Sequence, residues 1–309
     1  PPAAEAGARM LRAGGSAVDG AVAVQMVLTL VEPQSSGIGG GLFLVHHDGQ
    51  RVQAFDGRET APAAATPDLF LQDGRPMRFP DAIVGGRAVG VPGVLRALEL
   101  AHRQHGRLPW KVLFEPAIEL AEHGFAVSPR LATLLAQPGA RGLLRDAEAA
   151  AYFFDASGAP KRAGTWLRNP ALAATFHRIA AQGASALHEG ELAQAIVDKV
   201  RGHADNPGRL SLADLAGYRA LEREALCFAW LAWRLCGMPP PSSGTVAIGQ
   251  MLGVLEHFDV AGPKPLRRGD GWEAAPRAVH LFSEAGRLAF ADRARYLADP
   301  AFADVPTHA

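Results

Sequence analysis

A glycine-rich run near the start of this chain limits its possible folds more than any other feature. Four of the five positions 37–41 are glycine, and the run follows Pro33 and two serines. Glycine has no side chain to pack, so such a run suits backbone that turns sharply or approaches another backbone or a ligand closely. A second Ser-Ser-Gly sequence follows three prolines at 239–241. Both stretches predict shaped loops.

A helix is predicted immediately before the glycine run. Residues 17–31 are almost all apolar, Ser16 offers an N-cap, and Asp19 stands at capping-box spacing. The stretch is shorter than the roughly 20 residues that a membrane span needs, and it contains a charged side chain. A helix that is apolar on most faces is instead a buried core helix.

Two short strands are predicted after the run, at 42–47 and 51–56. Asp48 and Gly49 lie near their midpoint and form a strong hairpin signal. Arg58 comes just beyond the second strand, in a loop. Loops at strand ends commonly carry binding residues, so Arg58 is a candidate.

The rest of the chain mixes helices with hairpins and shows few strand-helix-strand alternations. This mixture favours an α+β fold with antiparallel sheets. No internal repeat or linker divides residues 1–309, which predicts one domain. Residues 63–91 and 261–275 are predicted to be irregular. Further helices are predicted at about 3–13, 92–105, 115–123, 170–182, 189–201, 211–217, 246–257 and 276–298, with a hairpin at 226–236.

Composition excludes several classes of function. Hydrophobic residues make up 48% and charged residues 20%, which is ordinary for a globular protein. Lys plus Arg and Asp plus Glu both number 31, so no net field would recruit nucleic acid or an anionic membrane. The sequence therefore predicts neither a nucleic-acid partner nor a membrane span.

The two cysteines, Cys227 and Cys236, lie on opposite arms of the hairpin predicted at 226–236. A two-residue turn at 231–232 would pair position 227 with 236 at a non-hydrogen-bonded site, with Cα atoms about 4.5 Å apart. That separation is at the close end of the range for a disulfide. Two separate buried thiols remain the alternative, since Leu-Ala is poor chemistry for a tight turn.

Familiar catalytic and cofactor motifs are absent from the sequence. The glycine run fails the dinucleotide pattern because Leu42 occupies its sixth position and a strand, not a helix, follows. No Walker sequence, Gly-x-Ser-x-Gly or His-Glu-x-x-His occurs. His280 and Glu284 have i,i+4 spacing but lack a third ligand nearby, so no metal site is predicted. The paired serines at 35–36 and 242–243 favour hydrogen bonds to turn backbone, which leaves the chain without a convincing nucleophile.

Several motifs, in order, resemble the γ-glutamyltranspeptidase family over essentially the whole chain. They are the segments at 14–19, 31–41, 56–62, 90–93 and 239–244 and a set of positions between 280 and 300. The resemblance implies a four-layer αββα N-terminal-nucleophile hydrolase fold, of which residues 1–309 are the large-subunit part, incomplete at both ends. It also implies a precursor that cuts itself in two, and a nucleophilic threonine that begins the small subunit. No position of this sequence matches that threonine, and Thr307-His308 lacks its context.

The resemblance gives Arg58 a role as the residue that binds the α-carboxylate of a γ-glutamyl group. A guanidinium is always charged and can hold a carboxylate with two parallel hydrogen bonds, whereas lysine offers a point charge. The alternative is that Arg58 pairs with Asp56 or Glu59 and fixes its own loop. Without the resemblance that structural role would be preferred.

The activity that the resemblance implies is γ-glutamyl transfer or hydrolysis of glutathione and other γ-glutamyl amides. Its partners would be the small subunit from the same precursor and amino acid or peptide acceptors, with no metal or organic cofactor. The location implied is periplasmic or secreted. Two alternatives stay open: a related acylase that hydrolyses a glutaryl-type β-lactam side chain, and an inactive scaffold that only binds.

Overall fold

The computed structural model describes residues 2–259 and 264–307. Its chain divides into two compact units, one formed by Pro1–Leu42 and Gly57–Leu221 and the other by Phe43–Asp56 and Glu222–Ala309. The chain therefore passes from one unit to the other at both ends of the predicted hairpin 42–56. The prediction of one domain over 1–309 stays a prediction.

Helices dominate the first unit, and short strand pairs connect some of them. The helices are α1 (Pro2–Arg12), α2 (Ala17–Val31), α3 (Phe79–Ile83), α4 (Val94–His105), α5 (Glu115–His123), α6 (Pro129–Leu135), α7 (Ala147–Phe153), α8 (Pro170–Gln182), α9 (Ser185–His188), α10 (Gly190–Arg201) and α11 (Leu212–Gly217), with 3₁₀ helices at Trp110–Phe114 and Pro138–Arg145. The strands that pair within it are β3 (Leu71–Gln72) with β4 (Arg75–Pro76), and β5 (Phe125–Ala126) with β6 (Trp166–Leu167).

Helix α2 forms the centre of the first unit because almost every side chain on it is apolar. Val22, Met26 and Val27 are completely buried. The predicted capping box is present: Ser16 Oγ accepts a hydrogen bond from the Asp19 N–H at 3.2 Å, and the Asp19 carboxylate accepts one from the Ser16 N–H at 2.7 Å. These two bonds satisfy backbone donors that a helix start otherwise leaves unpaired.

The second unit holds most of a three-stranded sheet, a hairpin and two packed helices. The sheet has the order β1 (Leu42–His47), β2 (Val52–Gly57), β7 (Leu221–Glu224). The remaining elements are the hairpin of β8 (Leu226–Trp230) and β9 (Trp233–Gly237), helix α12 (Gly244–Leu255), the hairpin of β10 (Leu266–Arg268) and β11 (Gly271–Glu273), and helix α13 (Pro276–Tyr296).

The β8–β9 hairpin has the register that the sequence predicted. Cys227 lies opposite Cys236 and Trp230 lies opposite Trp233, with a two-residue turn between the strands. The two cysteines form a disulfide with their Cα atoms 4.1 Å apart. Leu231 supplies the turn's positive φ of 52°, an unusual conformation for a residue with a side chain. The disulfide therefore replaces the alternative of two free thiols.

The irregular segments were predicted less well than the long helices. Strands Leu266–Arg268 and Gly271–Glu273 form a hairpin inside the stretch expected to be a loop, of which residues 261–263 lie outside the described part. A short hairpin and α3 similarly interrupt the stretch 63–91. Within the described residues, no helix combines the length and apolar character required to cross a membrane.

Candidate active-site loop

Arg58 lies at the point where a buried strand reaches the surface. Residues 53–57 of β2 are all buried, whereas the Arg58 side chain is 60% exposed. The glycine that ends the strand allows this close packing: a Cβ added to Gly57 would lie 2.5 Å from the Ala97 Cβ and 3.0 Å from the Gly93 carbonyl oxygen. Arg58 is therefore a solvent-exposed cationic residue that directly follows a tightly packed segment of backbone.

Hydrogen bonds hold the backbone at Arg58 and just after it. The Tyr218 hydroxyl donates to the Arg58 carbonyl at 2.8 Å. Two residues further on, the Thr60 carbonyl accepts from the Val91 N–H, also at 2.8 Å. A loop with carbonyls bonded to distant segments has few alternative conformations. The Arg58 Cα–Cβ direction is consequently well defined.

The glycine run packs against this same loop. A Cβ added to Gly41 would overlap the Glu59 carboxylate and would lie 2.9 Å from the Gly57 carbonyl oxygen. Gly39 and Gly40 face open space, and neither has a positive φ. The close backbone approach predicted for the run is thus found at Gly41, and what it approaches is the Arg58 loop.

The two acidic residues near Arg58 in sequence have different surroundings. Glu59 Oε2 lies 3.9 Å from Arg58 Nε, beyond hydrogen-bond distance, and this buried oxygen accepts no hydrogen bond from the described residues. The Asp56 carboxylate is buried and accepts a hydrogen bond from Arg223 Nε at 2.6 Å. The loop therefore combines an exposed guanidinium on Arg58 with an adjacent Glu59 carboxylate, one oxygen of which is buried and accepts no hydrogen bond from the described residues.

The described residues contain no group of three His, Cys, Asp or Glu side chains that could hold a metal ion. Of the i,i+4 pair His280 and Glu284, Glu284 accepts two hydrogen bonds from Arg287 at 3.0 Å. Of the paired serines, Ser242 Oγ accepts from the Gly244 N–H at 3.4 Å, and Ser243 Oγ accepts from Arg293 Nε at 2.8 Å. The first bond is to turn backbone, as predicted, and the second is to a side chain.

The sequence named Arg58 as a candidate but did not indicate the residues that support its loop. Tyr218 is separated from Arg58 by 160 positions, and Arg223 from Asp56 by 167. Neither residue belongs to a motif with a fixed spacing to its partner. No local signal in the sequence reports such a contact.

Comparison with known proteins identifies the family. The model of the family described as Gamma-glutamyltranspeptidase matches residues 3–309. The chain belongs to the γ-glutamyltranspeptidase family. This result confirms the resemblance drawn from the motifs at 31–41 and 56–62.

Curated relatives carry two kinds of name. The glutathione hydrolase proenzyme of Bacillus subtilis (strain 168) is 38% identical over 309 residues, which are 99% of this chain and 50% of that protein. The acylase ACY 1 proenzyme of Pseudomonas sp. (strain V22) is 40% identical over 313 residues, covering 99% of this chain and 54% of that protein. The chain thus spans about half the length of these relatives.

Solved structures of similar proteins have the same fold. The γ-glutamyltranspeptidase of Helicobacter pylori matches with a TM-score of 0.90 and 32% identity, covering 99% of this chain and 85% of that one. The cephalosporin acylase from Bacillus halodurans matches with a TM-score of 0.84 and 30% identity, covering 100% of this chain and 55% of that one. These likenesses confirm the predicted α+β N-terminal-nucleophile hydrolase fold class.

Proposed function

We propose that this chain supplies the substrate-binding arginine of an enzyme that hydrolyses or transfers γ-glutamyl groups from glutathione and related amides. The observation that carries the proposal is the exposed Arg58 guanidinium on a loop held at the Arg58 and Thr60 carbonyls, in a chain of this family. Arg58 would hold the donor's α-carboxylate with two parallel hydrogen bonds.

The attacking group would come from a small subunit cut from the same precursor. Its N-terminal threonine hydroxyl would attack the γ-carbonyl while its own α-amine takes the hydroxyl proton. The C–N bond then breaks, the proton passes to the leaving amine, and a γ-glutamyl ester remains on the threonine. Water, an amino acid or a peptide would take the acyl group and return the proton to the threonine oxygen. The word proenzyme in the relatives' names supports a processed precursor.

A periplasmic or secreted location is part of the same proposal. The disulfide between Cys227 and Cys236 supports it, because structural disulfides persist mainly in oxidising compartments.

A glutaryl-type acylase is the second candidate, favoured by the 40% identity to the acylase ACY 1 proenzyme. Glutaryl and γ-glutamyl groups both offer Arg58 a carboxylate and differ in the α-amine. The role of Arg58 is therefore common to both candidates, and the choice between them depends on what surrounds the amine.

Two chromogenic donors separate these candidates. The processed enzyme is assayed with γ-glutamyl-p-nitroanilide and with glutaryl-p-nitroanilide, and the threonine at the start of its smaller chain is verified by N-terminal sequencing. We expect a higher kcat/KM for the γ-glutamyl donor. Preference for the glutaryl donor would favour the acylase, and a folded protein that is not cut and cleaves neither donor would be a binding-only scaffold.

A further inference from the structure

Helix α11 and the residue after it bond at two separate points to the loop that follows β2, residues 58–63, which we call the Arg58 loop. The Tyr218 hydroxyl donates to the Arg58 carbonyl at 2.8 Å. Asp214 Oδ1 accepts a hydrogen bond from the Ala63 N–H at 2.9 Å, on the far side of the loop. The helix itself begins with a capping box in which Ser211 and Asp214 bond each other's backbone. Asp214 and Tyr218, four positions apart, therefore bond to the two ends of the Arg58 loop.

The position of the Tyr218 hydroxyl is set by its surroundings. Tyr218 is 6% exposed, and its ring stacks on the buried His188 imidazole with centroids 5.8 Å apart. His188 Nδ1 donates to the Leu215 carbonyl of α11 at 3.0 Å. The hydroxyl has room only because Gly93 has no side chain, since a Cβ there would overlap it. The ring cannot move away from the Arg58 carbonyl without disturbing these contacts.

Packing constrains the Arg58 side chain little, because 60% of it is exposed, so the direction of its backbone contributes to its orientation. A guanidinium that binds a carboxylate with two parallel bonds must present its edge in one direction. A geometric error of about 1 Å in a positioning contact is enough to lose much of the benefit of pre-organisation. The hydrogen bond from Tyr218 fixes the peptide plane between Arg58 and Glu59, which adjoins the Cα atom that carries the Arg58 side chain.

We propose that Tyr218 is a positioning residue for donor binding, acting through the Arg58 carbonyl. This inference rests on the proposed function, because it assigns a support to the residue that would hold the donor's carboxylate. Tyr218 does not touch the donor. Its hydroxyl matters to the reaction only through the direction in which Arg58 points.

The test uses Tyr218→Phe in the processed enzyme, which removes one oxygen and keeps the ring on His188. Two donors are compared: γ-glutamyl-p-nitroanilide, and 4-aminobutyryl-p-nitroanilide, which lacks the α-carboxylate. We expect Tyr218→Phe to raise KM for the first donor by about fivefold, the effect of one lost hydrogen bond, with kcat changed less than about twofold. The kcat/KM for the second donor should not change.

Arg58→Ala and the double variant distinguish a failure of this inference from a failure of the proposed function. Arg58→Ala should impair the γ-glutamyl donor and spare the 4-aminobutyryl donor, and adding Tyr218→Phe to it should cause no further loss. If Arg58→Ala discriminates between the donors but Tyr218→Phe does not, or if the two effects multiply, the positioning role is refuted alone. If Arg58→Ala affects both donors equally, Arg58 does not bind the donor's α-carboxylate, and the positioning role of Tyr218 is refuted as well.

Tyr152→Phe provides the matched control. It removes a phenolic oxygen that is buried in the same unit and makes no hydrogen bond to the loop that carries Arg58. Its KM for both donors should equal that of the wild type. Melting temperature and the extent of precursor cleavage are measured for every variant, so that a folding defect in Tyr218→Phe is separated from a shift in KM.

Discussion

The Gly40 carbonyl accepts a hydrogen bond from the Gly93 N–H at 2.8 Å and so joins the glycine run to the start of α4. The Val94 N–H bonds the same oxygen at 3.2 Å. Both donors lie at a helix start, where N–H groups lack partners within the helix. The run therefore caps α4 with a carbonyl and lies against the loop that carries Arg58.

Substitution of Gly41 should be costly, because the added methyl group would lie 2.8 Å from the Glu59 backbone nitrogen and 2.9 Å from the Gly57 carbonyl oxygen, besides overlapping the Glu59 carboxylate. Overpacking of this kind costs about 1–3 kcal/mol. We expect Gly41→Ala to lower the melting temperature and to raise KM for γ-glutamyl donors. The control is Gly39→Ala, where an added methyl group meets nothing within 4 Å. Equal melting temperatures for the two variants would contradict the packing.

Removing one partner of the ion pair between Asp56 and Arg223 should be strongly destabilising, because both side chains are largely buried. Asp56 is 6% and Arg223 is 22% exposed. Arg223→Met keeps an aliphatic chain but leaves the carboxylate without this partner, which should cost about 3 kcal/mol in urea unfolding. Arg12→Met is the matched control, since Arg12 pairs with Glu5 on the surface and such pairs contribute about 0–1 kcal/mol. A similar loss in both variants would refute the distinction.

The long elements of the fold could be predicted because local patterns determine them. The bounds of Ala17–Val31 and Glu115–His123 match the predicted ranges, since apolar periodicity and clear end signals coincide there. Helices Pro129–Leu135 and Ala147–Phe153 were not predicted. Each has only seven residues, about two turns, which is too short for a periodic pattern to stand out.

Of the residues in the candidate site, the sequence pointed only to Arg58, whose side chain is exposed. Arg58 has a local signal, because it follows a strand and a glycine. The hydroxyl of Tyr218 and the guanidinium of Arg223 reach their partners through the fold, and nothing in the spacing of the sequence encodes those contacts. The disulfide is an intermediate case, since a hairpin register turns a nine-residue separation into a direct pair.

The disulfide should stabilise the protein modestly, because it closes a short loop. The chain-entropy relation gives about 2.5 kcal/mol for a loop of about ten residues. We expect a reducing agent to lower the melting temperature of the wild type and to leave a Cys227→Ser/Cys236→Ser variant unchanged. Titration of the unfolded protein should detect no thiols before reduction and two after it. Two thiols before reduction would show that the bridge does not form.

Stability should fall at mildly acidic pH because of His188. Burial lowers the pKa of this imidazole below 6.5, partly opposed by the Leu215 carbonyl and the nearby carboxylates of Glu189 and Glu99 and reinforced by the charge of Arg96. As the pH falls through 6.5, the unfolded chain takes up the proton first. The contribution of neutral His188 to stability is therefore complete above pH 6.5 and is lost as the pH falls toward the folded-state pKa.

His188→Asn tests this dependence, since the amide can still donate to the Leu215 carbonyl but does not titrate. Between pH 7.5 and pH 5, the melting temperature of this variant should fall less than that of the wild type. His257→Asn, which removes an exposed imidazole, should follow the wild type. A parallel decrease in wild type and His188→Asn would show that His188 does not contribute.

The KM of Arg58→Ala for γ-glutamyl-p-nitroanilide tests the central claim most directly. Loss of a hydrogen-bonded charge partner should raise KM by roughly 100-fold, and Arg58→Lys should recover only part of this because an ammonium cannot form two parallel bonds. Cleavage of the precursor should proceed normally in both variants. An unchanged KM in a correctly processed Arg58→Ala enzyme would contradict the claim that Arg58 holds the donor's carboxylate.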